Sequence, residues 1–351
     1  MADEDKHVIV QTAPAVRVAL SEAFELDPGT IFTGQMVAGL RRLGFDKVFD
    51  TNFTADLTIM EEGHELIDRI NNGGKLPLFT SCSPGWIKFI EHQYPEFLDN
   101  LSSCKSPQQM FGSVAKSYYA ENQEINSDDI VVVSIMPCTA KKFEAQRPEM
   151  AGDVDYVLTT RELGRMIKQA GIDVNNLPEE EFDKLLGTSS GAADIFGSTG
   201  GVMEAALRTA YEVITGEELP AIDFEQVRGS YGKIKRAEIE IGELTVKVAV
   251  SNGLGNAREL LERMKQGEEY HFVEFMACPG GCIGGGGQPL PATEDIINKR
   301  MEALYEIDSS KKLRKSHENP YIKKIYDEYL EEPGSHKAHE LLHTNYKSRG
   351  V

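Results

Sequence analysis

The sequence is poor in cysteine, tryptophan and positive charge, and it has no long apolar run. Its five cysteines, Cys82, Cys104, Cys138, Cys278 and Cys282, are an odd, scattered set among 351 residues. That argues against a disulfide framework and raises ligand or catalytic roles for the thiols. Lysine and arginine number 37 against 56 acidic residues, a formal net charge of −19. No nucleic-acid partner is expected, because phosphate binding needs a basic surface. No apolar stretch approaches the roughly 20 residues that span a bilayer, so no membrane span is expected. The acidic start, residues 1–6, lacks the basic and then apolar order of a secretory signal, and the cytoplasm is the expected location.

What the chain does have is an alternation of strand-like and helical runs. Strands are predicted over residues 7–12, 47–50, 76–80, 130–135 and 271–275, with a hairpin of 236–241 and 244–250 turning at Gly242-Glu243. Helices are predicted over 15–25, 55–70, 107–121, 160–169, 200–215 and 256–266, then 294–305, 321–330 and 338–346. The pattern predicts an α/β fold of two sheet-based lobes flanked by helices, with a cofactor in the cleft between them and a helical C-terminal tail. The expected division is 1–130, 131–288 and 289–351.

Three of the strands, 76–80, 130–135 and 271–275, run into cysteine-bearing turns. The crevice beyond the carboxyl ends of strands is the usual site in open α/β sheets, so the thiols should converge there. Structural zinc sites come as paired Cys-x2–4-Cys knuckles, whereas here one Cys278-x3-Cys282 pair accompanies distant single cysteines. An iron-sulfur cluster assembled from scattered loops suits this better. Gly284–Gly287, after Cys282, would leave room for a bulky inorganic group against the backbone. Cys104, in a polar Ser102–Ser106 turn, reads best as a buried thiol.

Thr80-Ser81-Cys82-Ser83-Pro84-Gly85-Trp86, Met136-Pro137-Cys138-x-x-Lys141-x-x-Glu144 and Met276-Ala277-Cys278-x3-Cys282 resemble, in order and spacing, the three signatures of the diiron (iron-only, FeFe) hydrogenases. The resemblance runs from about His7 to the tail and is to the catalytic domain. It implies reversible H2 formation at an H-cluster, a 4Fe-4S cubane bridged to a diiron unit with CO, cyanide and an azadithiolate. Cys282 would bridge and Cys138 and Cys278 would hold the cubane. Lys141 would donate to a cyanide, and Glu144 would pair with nearby basic or amide groups. Pro14, Ala15, Gln108, Met136, Pro137, Phe196 and Met276 would surround the cofactor. Cys82, Glu62, Ser102, Glu65 and Arg69 would relay protons. A ferredoxin or other electron-carrier subunit and the hydrogenase maturation proteins are the implied partners.

On spacing alone, Lys141 reads equally as a surface residue, and Glu62, Glu65 and Arg69 as a solvated helix face. The family has a second cysteine where this chain has Ser83. Either the serine oxygen completes the cubane, or Cys82 or Cys104 substitutes, or the fourth iron is weakly held. A sensory hydrogenase-like protein and a cubane-only iron-sulfur assembly factor are the alternative functions. His339-Glu340-Leu341-Leu342-His343 matches the zinc motif H-E-x-x-H, although a third ligand is not evident. The glycines at 253 and 255 lack the third glycine of a dinucleotide fingerprint, and Trp86 reads as a core anchor.

Overall fold

The computed structural model describes residues 5–150, 152–184 and 186–350; residues 1–4, which hold part of the acidic start, lie outside them. Eight strands form two four-stranded sheets among the described residues. They are β1 (His7–Thr12), β2 (Lys47–Asp50), β3 (Leu78–Phe79), β4 (Ile130–Met136), β5 (Tyr156–Thr159), β6 (Ile234–Ile241), β7 (Leu244–Asn252) and β8 (Phe272–Met276). The first sheet is parallel throughout, in the order β2-β1-β4-β5. The second runs β3-β8-β7-β6, with only the edge hairpin β6-β7 antiparallel.

The second sheet shows why β-branched and aromatic residues alternate along it. Val248, Val250 and Phe272 pack on one face, against the helix Gly201–Thr215. Ala249, Val273 and Phe275 pack on the other, against Trp86 and Leu260. A period of two sends successive side chains to opposite cores.

Several expectations are corrected. Residues 15–25 are not one helix but two short 3₁₀ turns, Pro14–Val16 and Leu20–Phe24. Between them the Arg17 guanidinium is buried against Asp50 at 2.6 Å, so no polar face exists to give a helix its amphipathic period. The division at residue 130 also fails. β1 pairs with β4 across it, and β3, from the first segment, pairs with β8. The helices Thr33–Arg42 and Pro84–Gln93 and the short strand β5 come in addition to the predicted elements. In the tail, α-helix gives way to a π turn at Tyr326–Leu330, and the last helix, His336–Leu342, ends early because residues 342–344 pair with 103–105.

Candidate active site at the strand ends

The carboxyl ends of β3, β4 and β8 face one cavity of about 240 Å³. β3 leads to Cys82 and Ser83, with Pro84 opening the helix Pro84–Gln93; β4 leads to Cys138 and Lys141, and β8 to Cys278 and Cys282. All seven of these residues line the cavity. Pro14, Gln108, Met136, Pro137, Phe196 and Met276 complete its predicted wall. Ala15 lies behind it, fully buried, its carbonyl accepting from Gln288 Nε2 at 2.8 Å. Cys104 is elsewhere, in the core of the first sheet, which removes it as a substitute ligand.

Burial pushes all four cavity thiols up. Cys282 reaches about 12, with repulsion from Cys138 and Cys278 adding to burial. For Cys82, burial and then the Glu62 charge raise the thiol well above its ordinary value. Burial also raises Cys138 and Cys278, while the Ala140 and Lys141 N–H groups at Cys138, and Gly286 N–H at Cys278, favour thiolate. Thiols in this state bind metal by giving up protons.

The residues fit an iron-sulfur cofactor on chemical grounds. Four thiols face one cavity, backbone N–H groups are aimed at two of them, and the buried Oε1 of cavity-lining Gln108 has no hydrogen-bond partner. Ser83 Oγ, also on the wall, accepts from Ala277 N–H at 3.2 Å. The glycine run contributes differently from expectation. A Cβ on Gly285 or Gly287 would come within 2.3 Å or 2.9 Å of the Pro137 carbonyl oxygen, so these glycines serve mainly close backbone packing. Arg161 and Arg300 then tie down the loop carbonyls of Gly286, Gln288, Ile283 and Pro289.

Lys141 is buried rather than a surface residue, and its Nζ donates to Glu144 Oε2 at 2.8 Å and the Cys82 carbonyl at 3.1 Å. Glu144 Oε2 also accepts from Ser106 Oγ at 2.9 Å and Gln108 Nε2 at 3.1 Å.

Glu62, Glu65 and Arg69 are not a solvated face either. Glu62 is fully buried, and burial, with the neighbouring Glu65 charge, pushes its carboxyl up to about 8. Ser102 Oγ donates to Glu65 Oε2 at 2.8 Å, and Arg69 Nη2 to Glu65 Oε1 at 2.6 Å. Ser102 also faces Glu62, so it stands between the two carboxyls.

Sequence reasoning missed Glu274 beneath this site. Its carboxylate accepts from Gly200 N–H at 2.6 Å and Met203 N–H at 2.8 Å, and burial still lifts it to about 7. An acid in the middle of an apolar strand was the available signal. The H-E-x-x-H segment holds no zinc geometry: both ring nitrogens of His343 are engaged, by Ser103 Oγ at 2.8 Å and Glu61 Oε2 at 2.9 Å. Trp86 is a core anchor, stacked on Phe275 at 3.9 Å between ring centroids.

Comparison with known proteins shows the family. Residues 6–286 match the family model for the iron only hydrogenase large subunit, C-terminal domain, and residues 294–349 that for the iron hydrogenase small subunit. The chain is 56% identical to the NADP-reducing hydrogenase subunit HndD of Solidesulfovibrio fructosivorans over 99% of its length, and 49% identical to iron hydrogenase 1 of Clostridium pasteurianum over 98%. It spans 61% of each of those relatives. The cytosolic iron-sulfur assembly component 3 of Mus musculus is 32% identical over 98% of this chain and 75% of its own. A solved structure of an apo FeFe-hydrogenase HydA1 variant from Chlamydomonas reinhardtii superposes with a TM-score of 0.89 at 48% identity, covering 100% of this chain and 96% of that one.

Proposed function

The chain belongs to the iron-only hydrogenase family, and from that premise we propose that it interconverts H2 with two protons and two electrons at an H-cluster. The observation that carries this reading is the convergence of Cys138, Cys278 and Cys282 on one cavity with Lys141 and Cys82. When bound, the cubane and its diiron unit, with CO, cyanide and azadithiolate, would supply the redox chemistry of H2. Cys138, Cys278 and Cys282 would hold the iron, and Ser83 Oγ would take the fourth place, its negative charge favoured by the Ala277 N–H. The buried Lys141 ammonium offers donors to an anionic iron ligand in a dry pocket.

The chain's own groups would move the proton. Glu62 holds its proton at neutral pH and faces Ser102, whose hydroxyl donates to Glu65, which Arg69 anchors at the outer end. Passage inward would take a proton from Glu65 through the Ser102 hydroxyl to Glu62 and then to the Cys82 thiol, which burial keeps protonated. Electrons would come from a ferredoxin or another carrier subunit, and maturation proteins would install the diiron unit. Five free cysteines suit the reducing cytoplasm.

A cubane-only assembly role is the second reading, favoured by the 32% identical assembly components. The 49–56% identity to named hydrogenases, and the intact Lys141–Glu144 pair and relay, weigh against it. Uptake of H2 with an oxidised dye by the loaded protein separates the two. Turnover supports hydrogenase activity, and a cubane without uptake supports assembly.

A further inference from the structure

The segment that mimics a zinc motif has a different use. Residues 342–344 lie antiparallel to 103–105: Lys105 N–H donates to the Leu342 carbonyl and Thr344 N–H to the Ser103 carbonyl, each at 2.7 Å. The side chains repeat the link. Glu61, fully buried, accepts from His343 Nε2 at 2.9 Å, from Gly334 N–H at 2.9 Å and from the Tyr326 hydroxyl. Three groups converging on one carboxyl cast it as acceptor, so His343 carries its proton on Nε2. Nδ1 is hydrogen-bonded to the Ser103 hydroxyl at 2.8 Å. Ser103 N–H in turn donates to Glu65 Oε2 at 3.1 Å, the oxygen that also accepts from Ser102 Oγ at 2.8 Å.

We infer that His343, held by Glu61, is a positioning residue for the proton relay. It fixes the Ser102-Ser103 peptide so that the Ser102 hydroxyl and the Ser103 N–H meet Glu65 together. Proton transfer needs heavy atoms within hydrogen-bond reach; the Ser102 N–H is held by the Phe79 carbonyl at 2.8 Å, and the His343–Ser103 contact fixes the other end of the peptide. The tail thereby braces the relay from outside the cavity, which none of its residues lines. The inference rests on the relay reading above.

The test uses the full chain with three substitutions, His343→Ala, His343→Gln and Glu61→Gln, each measured alone and with Ser102→Ala. One readout is H2 evolution from reduced dye by the loaded protein. The other is the infrared carboxyl band of Glu62, titrated with pH in protein carrying the cubane alone and assigned with Glu62→Gln. His343→Ala should slow evolution roughly tenfold and move the midpoint of the Glu62 band. His343→Gln, which keeps a donor toward Glu61, should recover part of both. In the Ser102→Ala background His343→Ala should add nothing. Glu61→Gln should act in the same direction and serves if His343→Ala does not fold. A His343→Ala protein that loses only thermal stability, with band and turnover intact, overturns the inference; so does a loss that multiplies with Ser102→Ala. If the wild type shows no turnover, the hydrogenase reading falls, while the band shift still decides the positioning role.

Discussion

Lys141 Nζ lies 2.8 Å from Glu144 Oε2 and 3.1 Å from the carbonyl oxygen of Cys82, so one ammonium joins the loops that bring Cys82 and Cys138 to the same cavity. Glu144 is buried, and its remaining partners on that oxygen, Ser106 and Gln108, are neutral donors. Lys141→Ala should therefore cost about 3–5 kcal/mol, because it strands a buried carboxylate. Adding Glu144→Gln should restore part of that. Chemical denaturation of the four proteins of this cycle measures it, and a loss in the double variant equal to the sum of the two single losses would contradict a coupled pair.

Glu62 links function to pH. Its carboxyl is raised from 4.5 to about 8 by burial and by Glu65. The sign follows from proton linkage: between those values the folded chain holds a proton that the unfolded chain has lost, so wild-type stability falls as pH rises. Glu274, raised to about 7, adds to the same slope. Glu62→Gln should remove the Glu62 share, gaining stability relative to wild type as pH climbs through 8, while H2 evolution drops about 10²-fold or more. Thermal melts and dye-linked assays from pH 5 to pH 9 check both arms.

In the proposed reading, Ser83 takes the fourth cubane position. Ser83→Cys replaces a hard oxygen donor with thiolate, which should slow iron loss to a chelator and shift the cubane potential. Iron release and a redox titration followed by electron paramagnetic resonance measure this. Cys82→Ala should keep its iron and lose turnover; loss of iron instead would assign Cys82 to the cubane.

Cys104 gives the opposite expectation. It is fully buried in the core of the first sheet and does not line the cavity. Cys104→Ala should leave iron content unchanged and cost roughly 1 kcal/mol of stability through lost packing. Iron analysis of Cys104→Ala beside Cys138→Ala makes the comparison.

The site was more legible in the sequence than the layers that carry it. Cys82, Cys138, Cys278 and Cys282 follow apolar strands directly, and a strand end is a local feature, so motif and neighbourhood agree. The parallel pairing of β1 with β4, and of β3 with β8, joins residues far apart in the chain. No local pattern encodes it, which is why a cut at residue 130 looked reasonable. The turns at Pro14–Val16 and Leu20–Phe24 were read as one helix because burial on every side erases the period that distinguishes helix from irregular chain. Glu61 escaped for a similar reason, being ordinary in its own segment, and His343 was read only as part of the H-E-x-x-H motif; only the pairing of residues 342–344 with 103–105 brings them to Ser103.

Infrared spectroscopy of anaerobically matured protein, read beside H2 evolution from reduced methyl viologen, tests the central claim most directly. CO and cyanide stretching bands accompanied by turnover are the predicted result. Absence of those bands after a maturation that succeeds on a known relative would contradict it and leave a cubane-only role for the three thiols.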